Sequence, residues 1–354
     1  MKTISKSLAA MMVIAMLLSM MIVPAMAADI TVVFVPKLSG NAFFESANVG
    51  AQEYAAKQGF IVKYDGNPEA SVANQVAIVQ NAINSGADAV CVSSVDATGL
   101  DDVMREAMAA GLAVTTWDSD VSGDARSLMV SQGTPDILGK MLVDMLAESL
   151  TERGKDPKAD AIKYVWHYSQ ATVADQNSWQ VAGEAYVKEA FPNWVNVAPE
   201  NYYSEQDAEK AITVGESILT AYPDIDGIIC NDSTALPGQA QAAQNLGKTA
   251  KDVSITGFAA PNSMKDYARA GILSRWGLWD CQVQGALGCY LAYYLASGNT
   301  FKVGDKINVP DIGEVEVMPN TVLDANAYTA DNSGVVLLPE RVVFTLENMD
   351  NYNF

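Results

Sequence analysis

Residues Ala113–Asp120 read AVTTWDSD, a β-branched run that stops abruptly at Trp117 and two carboxylates, Asp118 and Asp120. A short apolar run of this kind fits a strand buried on both faces, and the carboxyl end of such a strand is where open α/β sheets bind ligands. An aromatic ring beside acceptor-only oxygens suits a small polyhydroxylated guest, the ring covering an apolar face and the carboxylates accepting hydroxyl hydrogens. The segment before it predicts a helix near Leu100–Ala110, and before that the run ADAVCVSSV reads as another strand. Strand and helix alternate from there in both directions, the pattern of a parallel sheet covered by helices on both sides.

The alternation occurs twice. The first half runs ITVVFVPKLSG, a helix around Phe43–Gln58, FIVKYDG, a helix over Ser71–Ser85, ADAVCVSSV, the Leu100–Ala110 helix and LAVTTWDSD. The second half runs AIKYVWHYSQATVADQ, a helix around Trp179–Ala190, WVNVAPENYY, a helix over Glu205–Ala221, DGIICNDST, a helix near Gly238–Leu246 and VSITGFAAP. Elements and loop lengths match, so the chain reads as two similar doubly wound lobes rather than one long sheet. Beyond Ala260 a helix (Met264–Ala270), a short strand (Leu273–Leu278) and a further helix (Cys281–Leu295) are too few to make a core and complete the two lobes. A hairpin over Val303–Val317 and a strand within Gly334–Phe344, followed by Pro339, close the sequence. The expected division is 28–133 plus 259–279 for the first lobe and 134–258 plus 280–354 for the second, with the tail along the lobe junction.

Lys2 and Lys6, the apolar stretch Leu8–Val23 and Ala25-Met26-Ala27 together predict a signal peptide cleaved after about Ala27. The first cysteine is Cys91, so the leader lacks a lipoprotein cysteine, and the product is expected in a periplasm or cell envelope. With 22 basic and 42 acidic residues the chain carries −20, and removing Lys2 and Lys6 takes it to −22. That surface argues against nucleic acid and anionic membrane as partners. Cys91 and Cys230 lie in apolar strand-like runs and read as buried thiols, while Cys281 and Cys289 sit eight apart on a helix, about 12 Å, too far to bridge.

The strand-end loops are Lys37–Phe44, Ser93–Asp96, Trp117–Asp120, Ser169–Gln176, Asn231–Thr234, Phe258–Pro261 and Trp279–Asp280. Lys37 supplies donors, Asp118 and Asp175 accept, and Gln176 and Asn231 do both. Phe43, Phe44, Trp117 and Trp279 offer apolar walls. Each has a plainer reading: a solvated Lys37, Asp118 and Asp120 as turn caps, Asp175 as the cap of the Trp179 helix, Phe43 as core. Convergence of donors and acceptors at one end of many strands favours a binding cleft. Signals of catalysis are missing: His167 is alone and lies in a strand-like run, no metal-ligand cluster can be built, and neither GxGxxG nor GxSxG occurs. Asp118 and Asp175 as a glycosidase pair is the enzymatic alternative.

The segments VPKLSGNAFFESANVGAQE, TWDSD, SQGTPDILGKMLVDM, TVADQNSW, Ala235–Pro237, GFAAPNSM, GLWD and VVLLPERVVF are together distinctive. From Thr31 to the C-terminus the chain resembles the type I periplasmic solute-binding proteins of the ribose/galactose class, and within them the autoinducer-2 receptors of Lsr-type ABC importers. The resemblance implies two lobes closing by a multi-crossover hinge on a small ligand, no cofactor, a monomer, and a membrane permease as partner. It implies ligand contacts from Lys37, Asp118, Asp175 and Gln176. Where the family contacts its ligand through the backbone of a proline and an alanine, this chain has Asn231 and Ser233. Asp280 is a further candidate from the GLWD segment. A pentose or deoxyhexose, such as ribose or rhamnose, is the alternative ligand.

Overall fold

The computed structural model describes residues 30–198 and 200–354. The expected signal segment, 1–27, lies outside them. The first lobe begins with β1 (Thr31–Val35), α1 (Ala42–Gln58), β2 (Ile61–Tyr64), α2 (Val72–Asn84), β3 (Ala89–Val92), α3 (Asp101–Ala109), β4 (Ala113–Trp117) and β5 (Leu128–Ser131). These five strands run parallel, with Val32 opposite Ala89 and Ala89 opposite Ala113. Alternation divides each strand between two cores: Val33, Val35, Val90, Val92 and Val114 meet α2 and α3, while Val32, Phe34, Ala89 and Cys91 face the opposite layer. Every such buried valine contributes about 1.5–3 kcal/mol, which is why the runs carry almost no polar residues. Asn41 caps α1 by accepting from Phe43 N, and Gly59 at φ 79° ends it.

The second lobe repeats the plan with α4 (Pro135–Glu152), β6 (Ile162–Tyr168), α5 (Ala174–Ala190), β7 (Trp194–Asn196), β8 (Tyr202–Tyr203), α6 (Ala208–Ala221), β9 (Gly227–Cys230), α7 (Ala235–Asn245), β10 (Ser254–Gly257), α8 (Pro261–Arg269) and β11 (Trp276–Leu278). Its sheet is ordered β10-β9-β6-β7, with β8 beside the end of β6. The duplicated α/β architecture expected from the sequence is the one observed.

The lobe boundaries differ from the expectation. α9 (Cys281–Ala296) belongs to the first lobe, because it lies against α1 so closely that backbone meets backbone. A Cβ on Gly285 would come 2.1 Å from Ala47 O, and one on Gly50 2.2 Å from Gln282 O. α8 and β11, expected in the first lobe, stay with the second, where β11 continues beside β10 through a bridge from Phe258 to Gly277. A hairpin of β12 (Lys306–Val309) and β13 (Gly313–Glu316) follows, as read from the sequence. Then β14 (Met318–Pro319) and β15 (Gly334–Leu337) extend the first sheet to the order β14-β15-β5-β4-β3-β1-β2. Only β16 (Val342–Phe344) returns to the second lobe, antiparallel to β11. The tail is therefore shared between the lobes: β15 fills the open edge beside β5, and β16 covers that of β11.

The chain crosses between lobes three times, after β5, after β11 and after β15. The crossings are tied together. Arg341 Nε donates to Gln132 O at 2.5 Å and its Nη2 to Leu338 O at 2.9 Å, while Gln284 Nε2 donates to Gln132 Oε1 at 3.1 Å. All four cysteines are buried thiols. Among the described residues no helix is long and apolar enough to cross a membrane, and no metal-ligand cluster occurs.

Candidate ligand-binding cleft

Parallel strands ending at the same edge bring the loops after β1, β4, β6, β9 and β10 into one interlobe cleft. Lys37, after β1, is 5% exposed and donates from Nζ to Asp118 Oδ2 at 2.8 Å. Ser93, after β3, donates to the same oxygen at 2.7 Å, so Asp118 Oδ1 remains for another donor. Asp118 sits at φ 60°, a left-handed position that Asp tolerates better than most residues. Burial pulls the Lys37 ammonium down, but Asp118, Asp175 and Asp232 more than offset this and hold its pKa above the ordinary lysine value. Lys37 and Asp118 form a buried, charged pair, neither a solvated lysine nor a turn cap.

From the second lobe, Asp175 is the second residue of α5 and does not cap it; Val173 holds the cap position. Its carboxylate reaches across the cleft, accepting from Ser119 Oγ at 2.6 Å and Gln132 Nε2 at 3.2 Å. Burial pushes Asp175 up to about 6, opposed by Lys37 and reinforced by Asp118. Ser169 Oγ holds Gln176 Oε1 at 2.8 Å, so the Gln176 NH2 group remains for a donor role. Asn231 donates from Nδ2 to Gln176 O at 3.2 Å, whereas its buried Oδ1 has no partner among the described residues. Asp232 caps the turn into α7 by accepting from Thr234 N and Ala235 N, and burial lifts it to about 6 despite them.

These groups enclose a narrow cavity of ≈ 30 Å³ lined by Lys37, Asn41, Phe43, Phe44, Asp118, Gln176, Trp179, Gln206, Asn231, Asp232, Ser233, Phe258 and Trp279. Thus Lys37, Asp118, Gln176, Asn231, Ser233, Phe43, Phe44 and Trp279 line one cavity. Three of the expected residues do not line it. Asp175 lines the broader trough instead, with its carboxylate on Ser119 and Gln132. Trp117 is fully buried behind the wall, stacked on Phe43 at 5.9 Å and packed on Phe34 at 4.6 Å, because strand alternation turns it toward the α1 layer. Asp280 is exposed and caps α9, accepting from Val283 N at 3.1 Å. Asp120 grips the buried Arg126 (Nη2–Oδ2 2.6 Å) and Val121 N, a structural role. Trp179, whose helical spacing reads as core, also lines the cavity, and Phe258, Asn41, Asp232 and Gln206 were not singled out. Gln206 follows β8 in a left-handed turn that no local motif announces. His167 is wholly buried, with Nδ1 3.1 Å from Gln239 Oε1, and burial lowers it to about 4, so it is a neutral core residue.

A broader trough of ≈ 850 Å³, with Asp175 in its wall, opens between the lobes and shares Asp118 and Trp179 with the inner cavity.

Two lobes joined by three crossings, with polar groups of both facing one cavity, define a cleft-type solute-binding protein. The chain belongs to the periplasmic binding protein family, whose domain matches residues 32–300. The structure of LsrB from Clostridium saccharobutylicum in complex with AI-2 is similar to it at 66% identity and TM-score 0.91, covering 92% of this chain and 100% of that one. The ribose import binding protein RbsB of Salmonella typhimurium is 28% identical over 239 residues, 66% of this chain and 73% of RbsB. An ABC transporter solute-binding protein from Clostridium phytofermentas with bound L-rhamnose shares the fold at TM-score 0.82 and 20% identity, covering 92% and 98% of the two chains.

Proposed function

We propose that this chain is an exported receptor that captures autoinducer-2, the tetrahydroxy-tetrahydrofuran signal, in the interlobe cleft and presents it to the membrane permease of an ABC importer. One observation carries the reading: a buried Lys37–Asp118 pair of one lobe faces Gln176 and Asn231 of the other, in a chain 66% identical to an AI-2-bound LsrB. Lys37 and Asp118 Oδ1 supply one donor set and one acceptor for ring hydroxyls, Gln176 a donor, and Asn231 Oδ1 an acceptor. Ser233 lines the same wall. Trp179, Phe258, Phe43 and Trp279 cover the apolar ring faces. The cavity is narrow and walled by both lobes, so a guest of this kind enters as the lobes part and is held as they close again about the crossings. Closure desolvates the polar contacts and strengthens them.

The receptor acts as a monomer without turnover: Asp118 and Asp175 are each committed to two donors, the arrangement of acceptors rather than of an acid and a nucleophile. Residues 1–27 direct export as a signal peptide cleaved after about Ala27. A pentose or deoxyhexose is the second reading, favoured by the ribose-binding relatives. The test is ligand content. Protein purified from an autoinducer-2 producer should release the signal on heating and protein from a non-producer should not; equal release from both would sink the proposal.

A further inference from the structure

We infer that Ser119 and Gln132 are positioning residues that latch the closed cleft through Asp175, and that Gln284 joins this latch to the ligand wall at Trp279; the inference rests on the receptor reading above. The contacts form one chain, buried from Trp279 to Gln132 and part-buried at Asp175. Trp279 Nε1 donates to Gln284 Oε1 at 2.6 Å, Gln284 Nε2 donates to Gln132 Oε1 at 3.1 Å, and Gln132 Nε2 donates to Asp175 Oδ2 at 3.2 Å. Ser119 Oγ takes the other carboxylate oxygen at 2.6 Å. Ser119, Gln132, Gln284 and Trp279 are all 3% exposed or less.

The donor chemistry permits only one direction. An indole N–H can only donate, so Gln284 must present its oxygen to Trp279 and its NH2 to Gln132. Gln132 must then turn its own NH2 to Asp175, whose ionised carboxylate can only accept. Gln284 Nε2 also donates to Val130 O at 3.1 Å, which fixes that amide against the last strand before the first crossing. No amide in the chain can flip without unmaking a buried hydrogen bond.

The placement gives the chain its consequence. Gln132 stands at the first crossing and Gln284 in the opening turn of α9, just past the second, whereas Asp175 and Trp279 belong to the second lobe. Opening the lobes removes Asp175 from both of its donors at once. The other side-chain contacts across the cleft among the described residues, Asn41 Nδ2 to Thr234 Oγ1 at 3.2 Å and Thr172 Oγ1 to Val95 O at 3.3 Å, are neutral. The contacts through Asp175 are the ones that carry a charge, and they favour retention of the guest. Trp279, held by Gln284, couples the orientation of the ring that covers the guest to the same hydrogen bonds.

The experiment measures association and dissociation rates of autoinducer-2 for wild type, Ser119→Ala and Gln132→Met, each alone and with Asp175→Asn. Spin labels on the exposed positions Asn81→Cys and Ser217→Cys, one per lobe, report the interlobe distance. Each single variant should speed dissociation by about tenfold, leave association unchanged, and add nothing in the Asp175→Asn background. Unchanged dissociation, or losses that add to that of Asp175→Asn, would overturn the latch. If Gln132→Met does not fold, Ser119→Ala decides alone. A wild type that binds no autoinducer-2 would refute the receptor reading instead. The latch is then judged on the spin-label distances of ligand-free protein, which should lengthen in Ser119→Ala and overturn it if they do not.

Discussion

Replacing Asp118 by Asn isolates the charge of the one acidic side chain bonded to Lys37. Asn keeps the shape of the side chain and tolerates the φ of 60°, so the turn after β4 survives. One oxygen still accepts from Lys37 and Ser93, at present 2.8 and 2.7 Å away. What changes is the group that faces the ligand, now an NH2 donor in place of Oδ1: a ligand hydroxyl loses a charge-assisted acceptor worth about 1.5–3 kcal/mol and gains at most a neutral donor worth about 1, a net loss of about 1–2 kcal/mol, or roughly 5- to 30-fold in Kd. Asp118→Ala removes the acceptor altogether and leaves Lys37 buried beside only Asp175 and Asp232, costing about 2–5 kcal/mol of binding. Calorimetric titration with autoinducer-2 should rank the Kd values Ala above Asn above wild type. A wild-type Kd for Asp118→Asn would refute the argument, because the carboxylate charge would then play no part in recognition.

Two further outcomes follow from the same geometry. Asp175 and Asp232 are lifted from 3.8 to about 6 by burial, so the folded protein binds these protons more tightly than the unfolded chain. Their contribution is fully present below pH 3.8 and is lost as pH rises through about 6, on the order of 3 kcal/mol each at most. Melting curves of Asp232→Asn against wild type at pH 5 and pH 7 should show the variant gaining relative stability at the higher pH, and a pH-independent difference would contradict the burial argument. Gly285→Ala forces a Cβ to 2.1 Å from Ala47 O, so it should cost about 1–3 kcal/mol or more in urea unfolding, whereas the same change at exposed Gly298 meets nothing and costs only the strain of φ 85°.

Much of this architecture was legible because a strand covered on both faces must be written in apolar residues. TVVFV, AVCV and GIIC are buried along their length and send alternate side chains to the two layers. The ownership of α9 was not legible. CQVQGALGCYLAYYLA is apolar around most of its circumference, so it shows no preferred face, and its partner α1 lies some 230 residues earlier. Sequence neighbourhood assigned it to the wrong lobe for that reason. In the cleft, Lys37 and Asp118 could be read because charged residues at strand ends have few other uses in such an apolar setting. Trp117 misled, since an aromatic at a strand end can face either layer. Gln132 and Gln284 carried no signal at all: their contact spans 152 positions and amides are common on any surface.

The most direct test of the central claim is a calorimetric comparison of ligand-stripped protein titrated with autoinducer-2, D-ribose and L-rhamnose. The account predicts saturable one-to-one binding of autoinducer-2, with either sugar at least about a hundredfold weaker for want of matching donors and acceptors. Binding of a sugar as tight as that of autoinducer-2, or none of autoinducer-2 at all, would contradict it.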